Sequence, residues 1–572
     1  MRFQNHSAIF AAVSSLIGSA LMPLPVCVVL CYGQPAGAHQ PDSSKTPTRD
    51  EPGRPGGGGR GDGRRGLLAE MTAFKTEVPS RSIDVVLARP TDKSITVSVA
   101  CYEKQPHEGY IEFRRNDAAP ITKTTMQPLP AGKPVLFTLE GLSPDTAYVY
   151  RVRYRRAAGG GSAAGEFAST EYYSFHTPRA TGQAFAFTIQ ADSHLDQGVE
   201  PKFYEQTLAN MLAAKPDFMI DLGDTFMTDK RGRDFKAALP QYDAQRYYFS
   251  RVAHSVPLFM VLGNHDGEKG TSGTGADDIG PWSYTQRTSR FPAPITSDGP
   301  LGKGAVGGAF YTGATAMKDG VGSHYYAFEW GDAIFIVLDP FWSTTERIRG
   351  GGGGDRGAGG GERGGGGGGS GQRSNDEPLK PLDSSWTSTL GRAQYDWLTR
   401  TLEGTNAKYR FVFIHHLVGG MGGPESRGGV ESSPYFEWGG KNADGSPGFA
   451  QHRAGWAMPI HDLLVEHHVS AVFHGHDHFY VSCQRDGVVY QCVPQPGNPR
   501  GNTRAAAQYG YTSGALHGSP GHIRVRVAAD RTTVEFVRTA LAGAADARAS
   551  GRRPAEANGG SVHQYSISPA RE

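Results

Sequence analysis

Phe185-Ala186-Phe187-Thr188-Ile189-Gln190-Ala191-Asp192-Ser193-His194 is an apolar run that ends in a carboxylate and an imidazole two residues apart. It reads as a buried β-strand, with the polar pair just beyond its carboxyl end. The arrangement recurs downstream: Phe218-Met219-Ile220 leads into Asp221-Leu222-Gly223-Asp224, and Pro257 to Leu262 into Gly263-Asn264-His265-Asp266. Arg410 to Ile414 leads into His415-His416, and Val469 to Phe473 into Gly475-His476-Asp477-His478. Between these runs Tyr204, Leu208, Met211 and Leu212 mark a helix face, Ala393 to Leu402 reads as a helix, and Pro459 to His467 as another with proline in its first turn. Ala333 to Leu338 is a further strand. Strands alternating with helices predict an α/β fold whose strand ends gather the polar blocks along one edge of a sheet.

The residue types in those blocks suit cations. On an extended segment Asp192 and His194 would project to the same side and grip one ion, and His476 and His478 would share that geometry. A carboxylate such as Asp224 can bridge two ions. Asp and Asn oxygens mixed with imidazoles suit Zn, Mn or Fe better than Ca. Glycines before Asp224, Asn264 and His476 permit sharp turns and close backbone approach to the ions.

Taken in order, D-x-H, G-D, G-N-H-D, H and G-H-x-H resemble the calcineurin-like metallophosphoesterases. Tyr325 to Asp339 resembles that group's middle strands, and Gly475 to Tyr480 its final motif. The resemblance implies a four-layer α/β/β/α domain holding two metal ions, with Asp192, His194, Asp224 and His478 on one ion and Asp224, Asn264, His415 and His476 on the other. It implies hydrolysis of a phosphorylated small molecule by a hydroxide bridging the ions, with His265 contacting phosphate or assisting the leaving oxygen and Asp266 orienting His265. Two positions depart from the pattern of the purple acid phosphatase branch. Met227 stands where that branch carries the tyrosine responsible for its colour, so a purple protein is not expected. Val418 replaces a usual proline, which leaves His416 as an alternative to His415.

The preceding segment has a different rhythm. Ile83 to Leu87, Ile95 to Val99, Tyr110 to Phe113, Val135 to Phe137, Tyr148 to Val152 and Tyr172 to Phe175 are short period-two runs separated by turn residues. They predict a β-sandwich over 79–180, and Leu142 to Tyr148 resembles the corner before a late strand of fibronectin type III domains. A sandwich ahead of such a catalytic domain resembles the purple acid phosphatase arrangement. The α/β domain would run over 181–544. Within it, Val488 to Val493, Ile523 to Val527 and Thr533 to Val537 return to strand patterning and are read as a second sheet.

Composition sets the remaining boundaries. Arg2, the apolar stretch Ala8 to Cys31 and Ala36-Gly37-Ala38 read as a secretory leader over 1–38, implying a secreted, periplasmic or envelope protein with no membrane span once the leader is removed. Residues 39–78, the Gly-rich insert 349–380 and the tail 545–572 are too poor in apolar residues to pack and are expected to be disordered. With 58 basic against 56 acidic residues and a net charge of +2, no excess of positive charge argues for nucleic acid. Oligomeric state leaves no mark in the sequence.

Cys483 and Cys492 flank a hairpin-like turn and are read as a disulfide pair, and Cys101 as a buried small hydrophobe. The insert Gly419 to Trp456, with Tyr435, Phe436, Trp438, His452 and Arg453, would hang over the metal edge, either as an ordinary variable loop or as a substrate-lining segment. His474, between strand and turn, is read as either a packing residue or a neighbour of the metal ligands. A phosphomonoesterase is the leading reading and a phosphodiesterase acting on nucleotides or lipid head groups the second. A secreted binding protein with a vestigial metal site is a third, although no ligand block is missing.

Overall fold

Period-two runs pair as their alternation requires: Ile83–Ala88 lies antiparallel to Ser94–Cys101, which pairs in turn with Val135–Glu140. A second sheet joins Thr122–Lys123, His107–Arg114, Ala147–Arg156 and Ala168–Ser169, with Gln127–Leu129 and Tyr173–His176 on its margins. Val85, Val97, Ile111, Phe137, Tyr150, Val152 and Phe175 share one core between them. The Tyr148 hydroxyl accepts the Ser143 N–H at 2.8 Å and ties down the corner.

This computed structural model describes residues 74–570 except 116–117, 160, 162, 197, 269–277, 297–303, 306–309, 314–316, 319, 323, 345–378, 423–426 and 542–556. The expected leader 1–38, most of the 39–78 linker and nearly all of the 349–380 insert lie outside the described residues. Among the described residues no helix is long and apolar enough to cross a membrane.

The rest of the chain is mixed α/β, built on two large sheets. The first runs Leu258–Met260, Phe218–Asp221, Phe185–Gln190, Gly521–Val527, Thr532–Arg538, Ser561–Ile567. Its first three strands are parallel and the others antiparallel. The second runs Thr312–Gly313, Tyr326–Trp330, Ala333–Val337, Tyr409–Phe413, Ala471–His474, Val488–Cys492, Tyr480–Arg485, Ala515–His517. Phe187, Phe218, Phe259 and Phe536 of the first sheet pack with Phe328, Phe335, Phe411, Phe413 and Phe473 of the second in one buried cluster. Phe187 stacks on Phe218 with ring centroids 5.2 Å apart and meets Phe335 edge-on at 5.1 Å.

Helices cover the outer faces. Pro201–Ala213 and Leu239–Ala253 bury Tyr204, Leu208, Met211, Tyr248 and Phe249 with Met219 and Leu258 of the first sheet. Arg392–Glu403 and Ile460–Glu466 bury Tyr395, Leu398, Ile460 and Leu463 with Ile336, Val412 and Val472 of the second. Alternation along each strand thus sends one set of residues to the shared core and the other under a helix.

Three expectations need correction. The tail expected to be loose over 545–572 contains the strand Ser561–Ile567, paired with Thr532–Arg538, because Val562, Tyr565 and Ile567 reach the shared core. Val488–Cys492 belongs to the second sheet, whereas Gly521–Val527 and Thr532–Arg538 belong to the first. Cys483 and Cys492 are free thiols: Cys483 stands opposite Tyr490 and Cys492 opposite Val481, so the register does not set the two sulfurs face to face.

The N-terminal sandwich is fastened to the α/β part through Arg246. Its guanidinium, with 1% of the side chain exposed, donates to Asp84 Oδ1 at 2.7 Å, to Ser98 Oγ at 3.1 Å and to the Ser98 carbonyl at 2.9 Å. Asp84 also accepts from Tyr102 at 2.6 Å and from Arg81 at 3.1 Å.

Candidate metal centre

Sheet geometry brings all five blocks to one place. Asp192 and Asp224 follow neighbouring parallel strands of the first sheet, and Asn264 follows the strand beside them. His415 and the Gly475–His478 turn follow neighbouring parallel strands of the second sheet. Ligand-type atoms of Asp192, His194 and His478 lie within 4.8 Å of one another, as do those of Asp224, His415 and His476. Asn264 joins the second group, its Oδ1 3.0 Å from His415 Nε2, which also lies 3.4 Å from Asp224 Oδ2.

The local backbone differs from the extended segments expected. Asp192, Asp224, His476 and His478 have φ of 56°, 54°, 72° and 69°, so these four of the seven ligand-type residues adopt left-handed backbone just past the strands. Each such turn costs roughly 1–3 kcal/mol for a residue with a Cβ, a strain held by the surrounding contacts. Glycine's role also shifts: a Cβ on Gly223 would overlap the Gly263 backbone and one on Gly263 would overlap Asp224, so these glycines let two ligand loops abut each other.

Of the two neighbouring histidines the structure places His415 in the group. Its Nδ1 donates to the Leu222 carbonyl at 2.7 Å, which fixes that proton and aims Nε2 at Asn264 and Asp224. His416 turns its Nδ1 to the Leu417 carbonyl at 3.0 Å and belongs to neither group.

Burial and charge prepare the groups for cations. Burial works against the Asp224 carboxylate, yet His415 and His265 outweigh it and hold the acid well below the usual carboxylate range. Asp192 is likewise kept low, against burial, mainly by His478. Burial, reinforced by Arg427, pushes His476 well below an ordinary imidazole, which leaves a neutral nitrogen. His476 Nε2 is buried without a hydrogen-bond partner, and Asp192 Oδ1, also buried, faces only His478 Nε2 at 3.3 Å with no well-formed hydrogen bond. A cation satisfies those atoms, so the donor set fits metal ions.

His415 is one group whose charge depends on pH. Burial alone would lower it, but Asp224 and Asp192 raise it from 6.5 to about 9. Its proton stabilises the ion-free protein fully below pH 6.5, and that stabilisation is lost as pH rises through about 9. An ion bound through His415 Nε2 would displace this proton, so affinity for Mn²⁺ would be expected to rise by up to about tenfold per pH unit toward about pH 9 and then level off. Calorimetric titration across that range checks it, and a flat profile contradicts it.

His265 and Asp266 have different surroundings from those expected. Asp266 accepts N–H groups of Gly263 at 2.8 Å, Asp224 at 3.1 Å, Thr225 at 2.8 Å and Phe226 at 2.8 Å. These donors keep it a carboxylate although burial and Asp224 push it up to about 6. It therefore knots the ligand loops together, and the expectation that it orients the His265 ring is corrected. That contact belongs to Asp229, whose carboxylate oxygens lie 2.9 and 3.0 Å from His265 Nδ1. His265 is 13% exposed and His478 38% exposed, so the centre opens on their side.

Other contacts were silent in the sequence. Asp196 bonds His194 Nδ1, and Gln495 Nε2 lies 2.8 Å from His194 Nε2. His474 is buried, with Nδ1 3.3 Å from the Gly475 carbonyl, and is in neither group. His452 stacks on Trp386 at 4.3 Å, while Arg453 pairs with Glu437 and donates to the carbonyls of Trp386 and Ser388. These two residues brace the insert internally, in keeping with the ordinary-loop alternative.

Residues 185–480, over half of the chain, match the family described as Calcineurin-like phosphoesterase. The chain belongs to that family, whose members are metal-dependent hydrolases. The fold is similar to purple acid phosphatase PPD1 from yellow lupin (Lupinus luteus) seeds, with a TM-score of 0.51 at 13% identity over 85% of this chain and 74% of that one. It is similar too to PhoD, with a TM-score of 0.50 at 13% identity over 81% of this chain and 88% of that one. No curated protein matches the sequence.

Proposed function

We propose that the chain is an exported, dinuclear metal-dependent phosphomonoesterase. The supporting observation is the meeting of two three-residue groups, Asp192-His194-His478 and Asp224-His415-His476, where strand ends of the two sheets come together, rather than along the edge of one sheet, in a member of a phosphoesterase family. Asp192, His194, Asp224 and His478 would hold one ion, and Asp224, Asn264, His415 and His476 the other, with Asp224 shared. Mn, Zn or Fe fits this donor set. When bound, a metal pair would supply Lewis-acid charge and would lower the pKa of a bound water towards neutrality.

His265 supplies the proton. With Nδ1 held by Asp229, its Nε2 would be left to give a proton to the departing ester oxygen as that P–O bond breaks and a water-derived oxygen bonds to phosphorus in its place. Asp229→Asn weakens that hold and is expected to lower turnover about tenfold or more on alkyl phosphates. The loss should be smaller on p-nitrophenyl phosphate, whose leaving group needs little protonation. Equal losses on both substrates contradict the assignment.

The α/β part reads as a four-layer α/β/β/α domain, supported by the shared phenylalanine core and the helices outside it. The tied corner at Tyr148 supports a fibronectin type III-like sandwich ahead of it. Export rests on the leader pattern at 1–38 alone.

Hydrolysis of p-nitrophenyl phosphate and bis(p-nitrophenyl) phosphate, with chelator and with Mn, Zn or Fe restored, tests the function. Metal-dependent preference for the monoester is expected. Preference for the diester supports the second reading, and a metal-loaded protein inert on both supports a binding role.

A further inference from the structure

The turn that carries two of the ligand-type histidines is gripped by residues that belong to neither group. His476 and His478 both adopt left-handed backbone that residues with a Cβ rarely take, and Asp477, 3% exposed, lies between them. The Asp477 carboxylate accepts the Tyr511 hydroxyl at 2.7 Å, the Gly428 N–H at 3.0 Å and Arg427 Nη1 at 3.1 Å. Arg427 Nη1 also donates to the His476 carbonyl, and its guanidinium lies 4.7 Å from the Tyr509 ring centroid. Ser519 Oγ donates to the His478 carbonyl at 2.7 Å.

These contacts come from two places. Arg427 and Gly428 belong to the insert that follows His415, and Tyr509, Tyr511 and Ser519 to the segment beyond residue 480, outside the residues that match the family. One strained turn with one histidine in each ion group is therefore held by two separate parts of the chain.

We propose that Asp477 is a positioning residue for both ion sites, and that Arg427 and Tyr511 act through it. This rests on the reading of His476 and His478 as metal ligands. Docking of the insert and of the C-terminal segment then governs loading of the ion pair: without the Asp477 clamp the turn relaxes and the two imidazoles lose their common aim. Partners that orient metal ligands typically change affinity by about 10–100-fold when removed.

The test uses the full chain, with Mn²⁺ as the probe. Asp477→Asn keeps the size and removes the charge. It is expected to bind Mn²⁺ at least about tenfold more weakly and to lose the spin-coupled electron paramagnetic resonance signal of a manganese pair. Activity should return at saturating Mn²⁺ with KM unchanged, which a misfolded site would not show. Tyr511→Phe removes one of the clamp's contacts and should fall between wild type and Asp477→Asn. Wild-type affinity and a coupled signal in Asp477→Asn overturn the proposal. If that variant fails to fold, judged by circular dichroism, wild-type values in Tyr511→Phe overturn it instead. Wild-type protein that binds no manganese pair overturns the metal reading itself, and this proposal with it.

Discussion

Asp224→Ala is expected to retain the fold and to lose phosphoester hydrolysis by at least about 10³-fold, more than the ~10²–10³-fold that loss of a single stabilising contact costs. The reason is its proposed role as the ligand shared by the two ions. Its Oδ1 accepts the His265 N–H at 2.7 Å while its Oδ2 lies 3.4 Å from His415 Nε2, so one side chain braces the loop of the proposed acid and faces a proposed ligand. Removing it takes a shared ligand from both proposed ions and leaves His415 without the carboxylate that raises its affinity for a positive charge. Elemental analysis should show fewer bound ions, and steady-state assays the loss of turnover. Wild-type turnover in this variant is incompatible with a shared ligand at Asp224.

Arg246→Ala is expected to destabilise the chain by about 3–5 kcal/mol while leaving the metal centre's chemistry unchanged in the molecules that stay folded. The arginine crosses from the helix Leu239–Ala253 into the N-terminal sandwich and satisfies Asp84, which is 4% exposed. Truncating it strips a buried carboxylate of its innermost counter-charge, although Arg81 and Tyr102 remain beside it. Urea unfolding of the variant, compared with Asp84→Leu and the double replacement, separates the pair's own worth from the penalty of an orphaned partner. If the double variant is no more stable than the worse of the single ones, that penalty is not the source of the effect.

The α/β core and the seven ligand-type residues are legible in the sequence for a local reason. Each block follows a run such as Phe218-Met219-Ile220, and runs of that kind become neighbouring parallel strands whose ends coincide. Asp229 is not legible in the same way. It reaches His265 from the helical turns Thr228–Ala238 that open after Met227, a residue at φ 50°, and nothing around that methionine marks this left-handed step. Gln495 meets His194 across 301 residues of chain, a contact that only sheet packing creates. The strand at Ser561–Ile567 is hidden by the polar, glycine-rich residues before it, although Val562, Tyr565 and Ile567 suffice for an edge position. Cysteine spacing misleads because two thiols on adjacent strands bridge only when register sets them opposite each other.

Anomalous diffraction at the manganese edge, from crystals of the full chain grown with Mn²⁺, bears most directly on the metal centre. The account predicts two peaks about 3.5–4 Å apart with the Asp224 carboxylate between them. No peak at this edge, or one ion bound away from Asp224, would contradict it.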